Sequence, residues 1–113
     1  MNQQTDLSQF YKALGDETRL RLVILLARQR KGNALCVGRL AKALNSTSSN
    51  ISQHLRILKS LGLVQSRRAG YKIHYFLDQE QFQYYQTLAK SMFGLTSEDQ
   101  IQETEEEETH VLR

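Results

Sequence analysis

The sequence predicts a mainly α-helical chain with one small β-hairpin, in the order α-α-α-α-β-β-α. Three observations carry that expectation. Apolar residues recur at helical spacing in five separate stretches. The pattern changes period only between Leu63 and Phe76. The joints are marked by Gly, Asn, Ser and Asp, in a chain of 113 residues that has no proline. That length suits one domain with a single core.

Leu7, Phe10, Tyr11 and Leu14 set a first short helix over residues 6–14, stopped at Gly15. Asp16 is a good N-cap and Glu17 suits the first turn of a second helix, over 17–29, with Leu20, Val23, Ile24, Leu26 and Ala27 as its apolar face. Residues 29–33 hold Gly32 and Asn33 and read as a loop. Val37, Leu40, Ala41 and Leu44 give a third, short helix. Asn45, Ser46 and Thr47 form a turn, after which Ile51, Leu55, Leu58 and Leu61 mark the buried stripe of a fourth helix. Gly62 ends that helix where left-handed backbone is cheap. Residues 63–67 and 71–76 read as strands joined by a turn at Arg68-Ala69-Gly70. From Asp78 a fifth helix carries Phe82, Tyr85, Leu88, Ala89 and Met92, ending near Gly94. The domain is expected to span 1–95, with 96–113 as a polar, Glu-rich, mostly disordered tail.

Charge is distributed unevenly along this framework. From Thr18 to Leu77, sixty residues contain no Asp or Glu but twelve Lys and Arg. Residues 1–95 carry 14 basic and 5 acidic side chains, or +9, and residues 96–113 carry 1 and 7, or −6. A basic surface without carboxylates suits a polyanion, because each cation near a phosphate releases counterions and each carboxylate would repel it. A solvated basic surface with no partner has the same composition. The longest apolar run, Leu22–Ala27, is far short of the roughly 20 residues that span a bilayer, so no membrane partner is expected. The first residues lack a basic leader and an apolar core, and the single cysteine, Cys36, cannot close an internal disulfide. A cytoplasmic location is the expectation.

Two short helices joined by a three-residue turn and followed by a basic hairpin are the layout of a winged helix-turn-helix, whose second helix lies in the DNA major groove. Its first turn here is Thr47-Ser48-Ser49-Asn50, followed by Ser52 and Gln53. These short polar groups are poor choices for helix stability alone. Ser and Asn reach phosphates or bases, and Gln53 has the amide edge that pairs bidentately with adenine. Thr47 also fits as a plain N-cap, and both roles are compatible. Arg56 lies further along the same helix. Arg67, Arg68 and Lys72 flank the hairpin turn, within reach of phosphates or a minor groove, or as a solvated tip.

The stretch Ala13-Leu14-Gly15-Asp16-Glu17-Thr18-Arg19-Leu20-Arg21-Leu22, the segment Ile51-Ser52-Gln53-His54-Leu55-Arg56-Ile57-Leu58 and the exit Leu61-Gly62-Leu63-Val64 resemble the ArsR/SmtB family of bacterial winged-helix repressors. The resemblance covers about residues 7–93. It implies a homodimer, joined by the first and last helices, that binds a palindromic operator in double-stranded DNA and releases it when an inducer binds. Independently, Phe10, Tyr11, Phe82, Tyr85, Leu88 and Met92 offer more large apolar surface than one small core needs, which suits a dimer interface. The same residues also fit as closure of the monomer core.

Many members of that family sense metals. One family arrangement, Cys-Val-Cys-Asp at the start of the third helix, is represented here by Cys36-Val37-Gly38-Arg39: one thiol is kept, the second is Gly and the acid is a cation. Soft ions need several sulfurs, so this is a poor arsenite or cadmium site. A second arrangement needs His on the last helix, and none occurs between His74 and His110. No metal site and no cofactor are expected. Cys36 stands as either a sensor thiol, if its pKa is lowered, or a small buried apolar residue. His54 is expected to bond within the fold or touch a phosphate. With no acid in the basic window, no Gly-rich phosphate loop and no nucleophilic triad, an enzyme is not expected. A winged-helix protein-interaction module and a non-specific nucleic-acid binder are the competing readings.

The tail's charge generates a prediction. Deleting residues 96–113 raises non-specific affinity for DNA, most visibly at low salt, because the acids compete with phosphate for the basic face. Affinity measured by fluorescence anisotropy that is unchanged on deletion refutes this.

Overall fold

The computed structural model describes residues 2–29 and 35–94. Five helices and three strands run in the order α1 (Gln3–Leu14), α2 (Glu17–Ala27), β1 (Leu35–Cys36), α3 (Val37–Ala43), α4 (Ser48–Ser60), β2 (Val64–Ala69), β3 (Lys72–Leu77) and α5 (Gln79–Met92). The expected acidic tail and most of the loop over 29–33 lie outside the described residues.

The helices start where their capping chemistry puts them. The Asp16 carboxylate accepts from the Arg19 N–H at 3.0 Å and the Asp78 carboxylate from the Gln81 N–H at 3.0 Å. α1 begins three residues before its expected start, because the Asn2 amide oxygen caps it by accepting from the Thr5 N–H at 2.8 Å. Polar Gln3, Gln4 and Thr5 conceal that turn from an apolar count.

Two helices end in the same way. After α3, Asn45 takes φ +53°. The N–H of Ser46 then reaches the Ala41 carbonyl at 2.8 Å, and that of Asn45 reaches Lys42 at 3.2 Å. After α4, Gly62 takes φ +74°. Leu63 then bonds to Leu58 at 3.1 Å and Gly62 to Lys59 at 2.9 Å. Both are Schellman ends, in which a left-handed residue satisfies the last carbonyls and turns the chain sharply. Asn tolerates that backbone nearly as well as Gly, through its short polar side chain.

The hairpin differs from expectation. Ala69 pairs with Lys72, so the turn is the two residues Gly70 and Tyr71, and Arg68 belongs to β2. Gly70 takes φ +65°, the left-handed geometry that a tight two-residue hairpin turn needs. The third strand was not expected: Leu35 and Cys36 pair with Tyr75 and His74, giving the antiparallel order β1-β3-β2. Two residues are too few to express a period of two.

Leu22, Leu40, Ile51, Leu55, Leu58, Leu63 and Val64 form the centre of the core, each essentially removed from solvent. α4 supplies three of them and packs on α2, α3 and β2. Leu61, expected in the same stripe, is instead the half-buried C-cap of α4. α1 lies on α2 and α5. There Phe10 stacks on Tyr85, with centroids 4.6 Å apart, and meets Phe82 edge-on at 5.8 Å.

Ile51→Ala is expected to cost about 2–5 kcal/mol in urea unfolding, because a fully buried side chain leaves a cavity. Ile57→Ala, on the same helix but 42% exposed, should cost far less. Equal losses would contradict the observed roll of α4.

Candidate nucleic-acid interface

The buried stripe of α4 decides what the helix shows to solvent. With about 100° between successive residues, the positions opposite Ile51, Leu55 and Leu58 are Ser49, Gln53 and Arg56, and all three are exposed. Ser48 and Asn50 are also exposed, and Ser52 is half-buried on the flank. Thr47 caps the helix, its hydroxyl accepting from the Asn50 N–H at 3.1 Å, while remaining exposed itself. The Asn50 amide donates to the Ser46 hydroxyl at 2.9 Å, so its side chain is oriented by the turn. The expected first-turn residues therefore share one outward surface.

β2 and β3 carry the cations. Arg67, Arg68 and Lys72 are exposed. The Arg67 guanidinium lies over the Phe76 ring at 5.3 Å, and the Lys72 ammonium is 6.0 Å from the ring of Tyr71. Tyr71 at the tip is 90% exposed. The Lys59 ammonium donates to the Ser66 hydroxyl at 2.6 Å, tying α4 to the first hairpin strand. The described ion pairs all involve Asp16; Arg56 and Arg68 have no carboxylate partner among the described residues. Lys59 lies in the last turn of α4, where its place beside Arg56 in the sequence puts it; nothing in the sequence marked Tyr71 as the hairpin tip.

His54 faces away from this surface. Its Nδ1 lies 3.2 Å from Arg19 Nη1 and 3.8 Å from the Asp16 carboxylate. Arg19 also donates from Nε to the Ala13 carbonyl at 2.8 Å. The Arg19 backbone N–H holds the Asp16 carboxyl below the usual carboxylate range against the opposing effect of burial, with lesser help from the Arg19 and His54 side chains.

Cys36 is half-buried at the N-cap of α3, paired across the sheet with His74. Its sulfur closes no cap hydrogen bond. The backbone N–H of Arg39, then that of Gly38 and the charge of Lys72, nevertheless favour the thiolate and lower the thiol pKa. Among the described residues no three His, Cys, Asp or Glu come together as a cation site. One sulfur beside Arg39 does not fit a soft metal ion.

The residues expected at a dimer interface divide. Phe10, Tyr85 and Leu88 are buried within the chain's own core. Phe82 and Met92 are half-buried, and Tyr11 is 46% exposed. Tyr84 and Phe93 are also outward, 42% and 62% exposed on α5 and just after it.

The sequence matches the family described as bacterial regulatory protein, arsR family, over residues 16–66. That stretch runs from the cap of α2 into β2. A transcriptional repressor SmtB homolog of Synechocystis sp. is 43% identical over 77 residues, covering 68% of this chain and 55% of that protein. An uncharacterised HTH-type transcriptional regulator of Methanocaldococcus jannaschii is 34% identical over 79 residues, covering 69% of this chain and 85% of that one. The chain belongs to the ArsR/SmtB family of transcriptional regulators. Among solved structures, reduced HlyU from Vibrio cholerae superposes with a TM-score of 0.61 at 30% identity, covering 77% of this chain and 88% of that one. The winged helix-turn-helix of this ArsR/SmtB-family chain therefore has its counterpart in a solved relative. The chain spans little more than half the length of the Synechocystis relative. No helix among the described residues is long and apolar enough to cross a membrane.

Iodoacetamide should alkylate Cys36 in the native protein with a rate that rises through a lower midpoint than in the urea-unfolded chain. Lys72→Ala should move that midpoint upward. A native midpoint at or above the unfolded one would contradict the cap geometry.

Proposed function

We propose that this chain is a dimeric, sequence-specific DNA-binding repressor of the ArsR type. One observation carries the reading: α4 turns Ser49, Gln53 and Arg56 opposite its buried stripe and leaves its polar first turn exposed, and neither α4 nor the hairpin beside it contains an Asp or Glu. α4 enters the major groove, with Thr47, Ser48, Ser49, Asn50, Ser52 and Gln53 against phosphates and base edges. Arg56 adds a cation on the same helix. Arg67, Arg68 and Lys72 hold the backbone beside it as the wing. The Synechocystis relative, named a transcriptional repressor, supports the direction of regulation.

A homodimer through α1 and α5 fits the apolar surface that Tyr11, Tyr84 and Phe93 leave exposed and that Phe82 and Met92 leave half-covered. Two-fold symmetry then requires a palindromic operator with half-sites roughly 34–36 Å apart. A cytoplasmic location follows from such a role. The releasing signal acts by a route other than a paired-cysteine metal site, since Cys36 has only Gly38 and Arg39 where further ligands would be needed.

The test is a mobility shift of the full chain on the DNA upstream of its own reading frame and on scrambled DNA, at two salt concentrations. Gln53→Ala should cost about 1–3 kcal/mol on the specific site and relax the preference at one base position. Arg67→Ala should weaken both DNAs evenly and reduce the salt slope by about one. Binding without sequence preference sinks the reading. Variants with unchanged affinity favour a protein-interaction module.

A further inference from the structure

Arg19 joins three parts of the fold that sequence order keeps apart. Its backbone N–H and guanidinium meet Asp16 at the cap of α2, at 3.0 and 3.9 Å. Its Nε holds the Ala13 carbonyl in the last turn of α1 at 2.8 Å. Its Nη1 meets His54 Nδ1, one turn beyond Asn50 on α4, at 3.2 Å. Both side chains are largely covered, Arg19 being 15% and His54 17% exposed. A guanidinium has donors only, so Nδ1 is the acceptor, and this network assigns the neutral ring's proton to Nε2. The charged groups facing His54 are Asp16 and Arg19 from the start of α2. α1 contributes the Ala13 carbonyl through Arg19, with Lys12 further along the groove that Arg19 also lines.

We propose that the Arg19–His54 hydrogen bond is a positioning device that seats the recognition helix on the α1–α2 turn, and that protonating His54 at Nδ1 breaks this bond and hands the ring to Asp16. The reading rests on the DNA-binding function proposed above and adds residues that do not touch DNA. Adding a proton to Nδ1 removes the acceptor and sets an N–H against the guanidinium. The new N–H is then drawn to the Asp16 carboxylate, 3.8 Å away, which remains ionised and already caps α2. The recognition helix exchanges one anchor for another, and its first turn is re-aimed. With His54 protonated the helix is seated on Asp16, and with it neutral on Arg19.

The measurement is the ratio of specific to scrambled-DNA affinity for the full chain at pH 8.0 and pH 5.5, which cancels the general gain of positive charge in acid. The wild-type ratio should fall about tenfold on acidification, the scale of one charge-assisted hydrogen bond. His54→Asn keeps at the Nδ1 position an acceptor that does not titrate, and should hold its ratio at both pH values. It retains His74 and His110, so their protonation affects both proteins alike. His54→Leu should show the low ratio at both. An equal acid response in wild type and His54→Asn overturns the proposal, as does an undiminished ratio in His54→Leu. Nitrogen-15 spectra of the full chain without DNA give an independent arm. They should show the Nε2–H tautomer at pH 8.0, and amides of residues 48–53 that move with the His54 titration. The other tautomer, or amides that stay fixed, overturns the proposal. If the chain shows no sequence preference at any pH, the DNA-binding reading fails and the spectra alone decide the pair.

Discussion

The burial of one narrow stripe on α4 constrains most of this molecule. Ile51, Leu55 and Leu58 are closed off by α2, α3 and β2. Burying each such side chain contributes roughly 1.5–3 kcal/mol. Their spacing leaves the helix one permitted roll. That roll turns Ser49, Gln53 and Arg56 outward, brings Lys59 to the wing and sets His54 against α2. The outward polar surface of α4 is thus specified by apolar residues that take no part in it.

The turns on either side convert that roll into a fixed direction. Asn45 and Gly62 use the same left-handed ending, one leading into α4 and the other out of it. The first sets the angle between α3 and α4, and the second sends the chain into β2. Thr47 adds a side-chain cap at the start of α4, so the helix-turn-helix is held by saturated backbone groups as well as by packing. No buried side-chain polar atom lacks a partner among the described residues, which is consistent with a single arrangement of these elements.

Much of this was legible in the sequence, for a physical reason. Caps, left-handed turn residues and apolar periodicity act over three to seven positions, and Asp16, Thr47, Gly62 and Asp78 each announced a boundary. The outward surface of α4 followed from the same period. What escaped was either too short or too distant. β1 is two residues long and exists only because β3 offers it a partner. The start of α1 rests on a single amide, Asn2. The Arg19–His54 contact joins residues 35 positions apart, and no local pattern encodes it. Helical spacing alone puts Phe10, Tyr11, Phe82 and Tyr85 in one aromatic set, yet the fold divides it: Phe10 and Tyr85 stack on each other, while Tyr11 stays outside with Tyr84 and Phe93.

The carboxylate-free window has a kinetic side. On the DNA-binding reading, the long-range field of the basic face acts before any base edge is near, and steers the protein toward phosphate at rates that fall with ionic strength. The amides and hydroxyls of α4 act only after contact, and add to how long the complex lasts. Arrival is thus set by charge, whereas residence draws on the wing cations and the α4 groups together. Loss of an α4 amide would shorten the lifetime of a completed complex while leaving the search largely intact.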